Sequence, residues 1–198
     1  MSVKMNSLAF SILLGGMSSR MGKDKAKLKI ESESGESTFL EHLAGETNDF
    51  GDKYLSINSS QDYSLVGFTN IIDSFPNIGP LGGIYSVLKA SKKQYVLFVA
   101  CDMPKLTKEA ISHLISEWND EDMCISKTAN GRQPLVGIYS KACIPFIKDL
   151  IDKKIYRPGM LFDSVKSKLV DMSDFEDCFA NINTIDDYKK LTNEKKED

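Results

Sequence analysis

Apolar positions in this chain fall into short, nearly unbroken runs, separated by stretches with helical spacing. The runs "SLAFSILL" (7–14), "KYLSI" (53–57), "TNIID" (69–73) and "YVLFVACD" (95–102) are rich in β-branched and aromatic residues and predict strands. Between them the period changes. Thr38, with Glu41 three residues on, forms a capping box that starts a helix near "FLEHLAGE". "GGIYSVLKA" (82–90) predicts a second helix opening on glycines, and Thr107 caps a third. In that third helix Ile111, Leu114, Ile115 and Trp118 fall at i, i+3, i+4 and i+7, so they share one face. Strands with little polar alternation are buried on both sides, as in a parallel sheet with helices over each face. The pattern predicts an α/β fold: a three-layer, mostly parallel, doubly wound sheet.

The second half is less regular. "DMCIS", "QPLVGIYS" and "KLVDM" predict strands, and "KACIPFIKDLI" a helix interrupted by Pro145. "NTIDDYKKL" predicts a last helix, capped by Asn183 or Thr184. The polar stretch 31–38, "ESESGEST", is expected to be a flexible loop, and the chain from about residue 192 a frayed tail. With no internal repeat and no linker-like segment, residues 1–198 are expected to form a single domain.

Composition narrows the function. With 41% hydrophobic and 27% charged residues and a net charge of −3, no overall basic field recruits nucleic acid. The apolar run after Lys4 is short, alternates with serine and leads into a glycine turn, so it is not read as a signal peptide. No segment approaches the roughly 20 apolar residues that cross a bilayer. Cys101, Cys124, Cys143 and Cys178 show neither C-x-x-C pairing nor metal-type spacing, and only His42 and His113 could join them in a zinc site. A cytoplasmic protein with reduced thiols and no membrane partner is expected.

The first predicted strand runs into "LLGGMSSRMGKDK" (13–25). Glycines after a strand let backbone N–H groups approach an anion, and Arg20, Lys23 and Lys25 supply countercharge. Sheets of this class bind ligands beyond the carboxyl ends of their strands. Neither common phosphate motif fits. Five residues separate Gly16 from Gly22 where a P-loop has four, and Asp24 rather than Ser or Thr follows Lys23. A second station is Asp102, closing a nearly wholly apolar strand before Met103 and Pro104, where a charge is costly unless water, a counter-ion or a metal compensates.

The spelling "GGMSSRMGKDKAKL" resembles the G-G-x-S-x-R-M-G-x-D-K-x-x-L signature of the molybdenum cofactor guanylyltransferases, which transfer GMP from GTP to molybdopterin. The resemblance extends from about residue 8 to 191, and it implies a Rossmann-like nucleotidyltransferase fold. Other stretches match in order: "YLSINSS", "IIDSFPNIGPLGGI", "VLFVACDMP", "NGRQPLVGIYS" and "FANINTIDDYKKL". The family commonly has Leu-Ala-Gly-Gly where this chain has Leu13-Leu14-Gly15-Gly16, so the bulkier Leu14 departs from its pattern.

Carried over residue by residue, the resemblance implies that Leu13, Leu14, Gly15, Gly16, Lys25, Asn58, Asp73 and Asp102 bind GTP. It implies catalytic roles for Lys25, Asp102 and Arg20, with Asp102 holding Mg²⁺. Asn181 and Asn183 would face the acceptor or the metal, and Arg157 is a candidate for the acceptor's phosphate. Gly79, Gly82 and Gly83 would let the loop after Asp73 approach a ligand or set the start of the helix. The implied partners are GTP and molybdopterin, with transient contact to proteins that mature molybdoenzymes. A related enzyme using CTP or a sugar phosphate, and a non-catalytic nucleotide-binding adaptor in cofactor delivery, remain the alternatives.

Overall fold

The computed structural model describes residues 2–14, 24–32 and 35–193. A short helix α1 (Ser2–Ser7) leads into β1 (Leu8–Leu13), all six of whose residues are buried. A 3₁₀ turn at Lys25–Lys27 precedes β2 (Lys29–Ser32) and β3 (Gly35–Thr38). Then follow α2 (Phe39–Gly45), β4 (Lys53–Ile57), β5 (Phe68–Ile72), α3 (Pro80–Ala90) and β6 (Tyr95–Ala100). The second half contains α4 (Lys108–Glu117), β7 (Met123–Thr128), β8 (Gly131–Ser140), α5 (Ile144–Asp152), β9 (Ser167–Asp171) and α6 (Ile185–Asn193).

Seven strands form one sheet in the order β5-β4-β1-β6-β8-β7-β9. Pairing is parallel throughout except at β8, which runs against both β6 and β7. The period of two sorts side chains to opposite faces. Phe10 and Ile12 of β1 join one apolar cluster with Leu43 and Leu114, whereas Ala9 and Leu13 join another with Ile84 and Ile147. Thus α2 and α4 cover one face and α3 and α5 the other. Handedness explains the division. The chain moves from β1 to β4 in one direction across the sheet and from β5 to β6 in the other, so right-handed crossovers place α2 and α3 on opposite faces.

The predicted helices and strands are present, with local differences. Thr38 and Glu41 form the capping box at α2, and the Thr107 hydroxyl accepts from the Ala110 N–H at α4. The last helix is capped by Thr184, not Asn183: its hydroxyl accepts from the Asp187 N–H at 3.1 Å. Pro145 does not interrupt a helix. Residues 141–143 form a separate 3₁₀ turn, and Pro145 sits in the first turn of α5, where a missing N–H costs nothing. Of the stretch 31–38, read as a loop from its polarity, residues 31–32 and 35–38 instead belong to the antiparallel pair β2 and β3, while 33 and 34 lie outside the described residues. Ile30 and Leu28 bury against the core, which a purely compositional reading of the polar residues misses. The expected tail beginning near 192 falls partly in α6, which extends to Asn193; residues 194–198 lie outside the described residues.

Candidate active site

Parallel register aligns the strand tips. Leu13 pairs with Ser56 on one side and Ala100 on the other, and Ile57 pairs with Ile72. The residues just beyond, Leu14, Asn58, Asp73 and Asp102, therefore stand along one rim. Asp73 and Asp102 follow strands three intervals apart, roughly 14 Å at ordinary strand spacing, a span suited to a nucleotide rather than a lone phosphate. The strand order reverses between β1 and β6, and such a reversal opens a ligand crevice at the carboxyl ends.

Lys25 and Asp102 meet at this crevice. The Lys25 Nζ lies 3.5 Å from Asp102 Oδ2, with both side chains largely shielded from solvent. Lys25 also donates to Asn183 Oδ1 at 2.7 Å. Asn183 is brought there by the backbone: the Ile182 N–H donates to the Asp102 carbonyl at 2.9 Å. The other carboxylate oxygen, Asp102 Oδ1, is buried with no hydrogen-bond partner among the described residues. A buried carboxylate oxygen without a donor is costly, and a hard divalent cation would satisfy it. Among the described residues no group of three or more His, Cys, Asp or Glu could hold a metal. Asp102 fits a cation whose remaining ligands are water and substrate phosphates, the usual arrangement for Mg²⁺.

At the same rim, around the tips of β1, β4 and β5 and the start of α3, is a cavity of about 150 Å³ lined by Leu13, Ser56, Asn58, Asp73, Asn77 and Gly83, among others. Its shape depends on glycine. A Cβ at Gly83 would come within 2.3 Å of Ser56 Oγ, and one at Gly82 within 2.6 Å of Asp73 Oδ1. These two glycines thus let α3 press against the strand tips and leave room for the carboxylate. Gly79 takes φ +81° as the residue before Pro80, which opens α3. Asn58 closes a turn, its Oδ1 accepting from the Ser60 N–H at 2.9 Å and the Ser60 hydroxyl at 2.6 Å.

Asp73 Oδ1 accepts from the Phe75 N–H at 2.8 Å. Burial nevertheless holds this carboxyl above its ordinary range, outweighing the hydrogen bonds that pull it down. A raised carboxyl favours folding below the unfolded value of 3.8 and loses that contribution as pH rises through the folded value. At neutral pH the charged group is therefore a burden on the free protein. Asp73→Asn is expected to melt at the same temperature or higher at pH 7, an advantage that shrinks toward pH 4. Nucleotide binding should weaken about tenfold, the scale of one lost charged hydrogen bond. Melting curves over that pH range, with nucleotide titrations at pH 7, check both signs.

The structure thus brings Leu13, Leu14, Lys25, Asn58, Asp73, Asp102 and Asn183 to one rim. Leu14 is buried in the core and donates its N–H to the Ser56 carbonyl at 3.0 Å. Gly15, Gly16 and Arg20 lie outside the described residues. Asn181 and Arg157 are exposed, and neither side chain forms a hydrogen bond or ion pair with described residues. Arg157 is the residue before the 3₁₀ segment Pro158–Ser164. Sequence reasoning missed Asp24, Gln61 and Tyr63, which are hydrogen-bonded beside Lys25. Only Asp24 carried a signal, as a short acidic residue just before a lysine turn.

A mostly parallel sheet of this order, with helices on both faces, defines the class as a Rossmann-like α/β fold. The sequence pattern of the MobA-like NTP transferase domain matches residues 11–164. The chain belongs to this family and is a nucleotidyltransferase. It is 32% identical over 198 residues to the probable molybdenum cofactor guanylyltransferase of Clostridium perfringens strain 13, covering 93% of this chain and 96% of that protein. The molybdenum cofactor guanylyltransferase of Campylobacter jejuni serotype O:6 is 31% identical, covering 97% of this chain and 99% of that protein. Among solved structures, molybdopterin-guanine dinucleotide biosynthesis protein A from Archaeoglobus fulgidus shares the fold at a TM-score of 0.77. That comparison covers 96% of this chain and 100% of the other, at 20% identity.

Proposed function

We propose that this protein transfers GMP from GTP to the terminal phosphate of molybdopterin, forming molybdopterin guanine dinucleotide and releasing pyrophosphate. The observation that carries the reading is the 3.5 Å approach of Lys25 to Asp102 at the strand reversal, on the same rim of strand tips as the cavity lined by Asp73. The names of the sequence relatives support guanine and the molybdenum cofactor. An ionised Asp73 only accepts hydrogen bonds, which suits the adjacent N1–H and N2–H donors of guanine.

The residues present suit a reaction of alignment and charge neutralisation. The attacking phosphate is anionic near neutral pH, so no side chain has to remove a proton. Lys25, with Arg20, stabilises the departing pyrophosphate, and Asn183 keeps the Lys25 ammonium from collapsing wholly onto Asp102. Asp102 would hold Mg²⁺, which when bound lowers the repulsion between the two phosphate groups. Asn181 and Arg157 are left to meet the acceptor. Among the described residues no helix is long and apolar enough to cross a membrane.

The test is pyrophosphate release with molybdopterin, Mg²⁺ and each of the four nucleoside triphosphates in turn. GTP is expected to outpace CTP by at least about 10²-fold, the discrimination available when an unmatched buried acceptor is left behind. Equal rates with CTP would overturn the guanine assignment. Tight GTP binding with no pyrophosphate released under any condition would leave a binding module in place of a catalyst.

A further inference from the structure

Asp24 is not part of the Lys25–Asp102 pair, yet both of its carboxylate oxygens are engaged. Oδ1 accepts from the Ala26 N–H at 3.2 Å and closes the 3₁₀ turn that carries Lys25. Oδ2 accepts from the Tyr63 hydroxyl at 2.6 Å, across 39 residues of sequence. Tyr63 itself is buried against the core cluster that contains Leu14 and Leu28. Its hydroxyl also accepts from Gln61 Nε2 at 3.3 Å, and Gln61 Oε1 accepts from the Asn58 N–H at 3.0 Å. Asn58 lines the cavity beside Asp73.

Chemistry sets the direction of every bond in this chain. The Asn58 N–H can only donate and an ionised Asp24 can only accept. Gln61 must therefore turn its oxygen toward Asn58 and its NH₂ toward Tyr63, leaving the Tyr63 proton to Asp24. Burial first, and Asp24 next, hold the phenol well above its ordinary range, so the proton stays on Tyr63. A one-turn 3₁₀ segment has little stability of its own. A carboxylate that caps such a turn is free to rotate unless a second bond fixes it.

We propose that Tyr63 is a positioning residue for nucleotidyl transfer: through Asp24 it holds the Lys25 turn against Asp102, and through Gln61 it ties that turn to the nucleoside cavity at Asn58. The kinetic consequence rests on the transferase reading given above; the tether itself does not. A phenylalanine would fill the same space, so the hydroxyl alone is at issue. The 2.6 Å bond to a carboxylate is the strong leg and the 3.3 Å amide bond the weak one. Loss of the hydroxyl should thus loosen Lys25 more than it disturbs the cavity.

The experiment compares wild type, Tyr63→Phe, Asp24→Asn and the double variant by steady-state kinetics with GTP. Backbone amide exchange at Ala26, Lys27 and Leu28 is followed in the nucleotide-free protein. Tyr63→Phe is expected to lower kcat about tenfold while KM for GTP stays within about threefold, the scale of one hydrogen bond to a charged group. The double variant should be no worse than Asp24→Asn, since both changes cut one connection. The three amides should exchange about tenfold faster in either single variant. Unchanged turnover and exchange in Tyr63→Phe would show that the ring only packs, and additive losses would show a route other than Asp24. Either result overturns the proposal. If wild type transfers no nucleotide, the functional reading fails while amide exchange still decides the tether. Should Tyr63→Phe fail to fold, exchange and kcat in Asp24→Asn decide it in the same way.

Discussion

Asp102→Ala is expected to lower turnover by about 10³-fold, the upper range for removing a preorganised charge-stabilising group, while leaving the melting temperature unchanged or raised. The two effects separate because of what each part of Asp102 contacts. Its main-chain carbonyl accepts the Ile182 N–H, and that bond survives substitution. Its side chain contributes one longer contact to Lys25 and one buried oxygen without a partner among the described residues. Removing an unsatisfied buried oxygen relieves a desolvation cost, and Lys25 keeps its bond to Asn183. Steady-state assay and thermal melting on the same preparation check this. Normal turnover in the variant would end the role given to this carboxylate.

Lys25→Met should also cost about 10²- to 10³-fold in kcat, since in the proposed reaction it removes a cation from the developing pyrophosphate. Its effect on cation binding should have the opposite sign to that of Asp102→Ala. An ammonium 3.5 Å from Asp102 opposes any second cation at that carboxylate. The Lys25–Asp102 attraction that such a cation has to displace is roughly 1 kcal/mol, the value for two unit charges about 4 Å apart in water, so nucleotide-free Lys25→Met should bind Mn²⁺ about fivefold more tightly than wild type. Asp102→Ala should bind it more weakly. Stability should change by less than about 1 kcal/mol, as for other partly exposed ion pairs. Titrations followed by electron paramagnetic resonance distinguish the variants. Equal Mn²⁺ affinity in wild type and Lys25→Met would mean that Lys25 and the cation do not share Asp102.

Much of the candidate site could be read from local spelling. Asp73 and Asp102 each follow a strand, the second nearly wholly apolar, and a carboxylate at such a tip is visible without coordinates. Gly82 and Gly83 were recognisable as sites of close approach, but what approaches them was not. The structure shows the Asp73 carboxylate and Ser56, both from outside α3. Tyr63 was invisible. It lies in the irregular connection between β4 and β5, where no period announces burial, and its partner Asp24 comes from a different connection, the one between β1 and β2. Likewise the β2–β3 hairpin was hidden because its polar residues resemble a loop, while pairing satisfies their backbone.

By itself the sequence determined the layers of this protein: the strands of the seven-stranded sheet, the helices α2 to α6 between and after them, and the apolar face of α4. Those features depend on side chains a few residues apart, and the periods of two and 3.6 record them directly. Only the tertiary structure decided which strand tips become neighbours. Lys25 and Asp102 are 77 residues apart, and Lys25 and Asn183 are 158 apart. They meet because β6 pairs with β1 on the side opposite β4, an outcome of strand order and crossover handedness that no local pattern encodes.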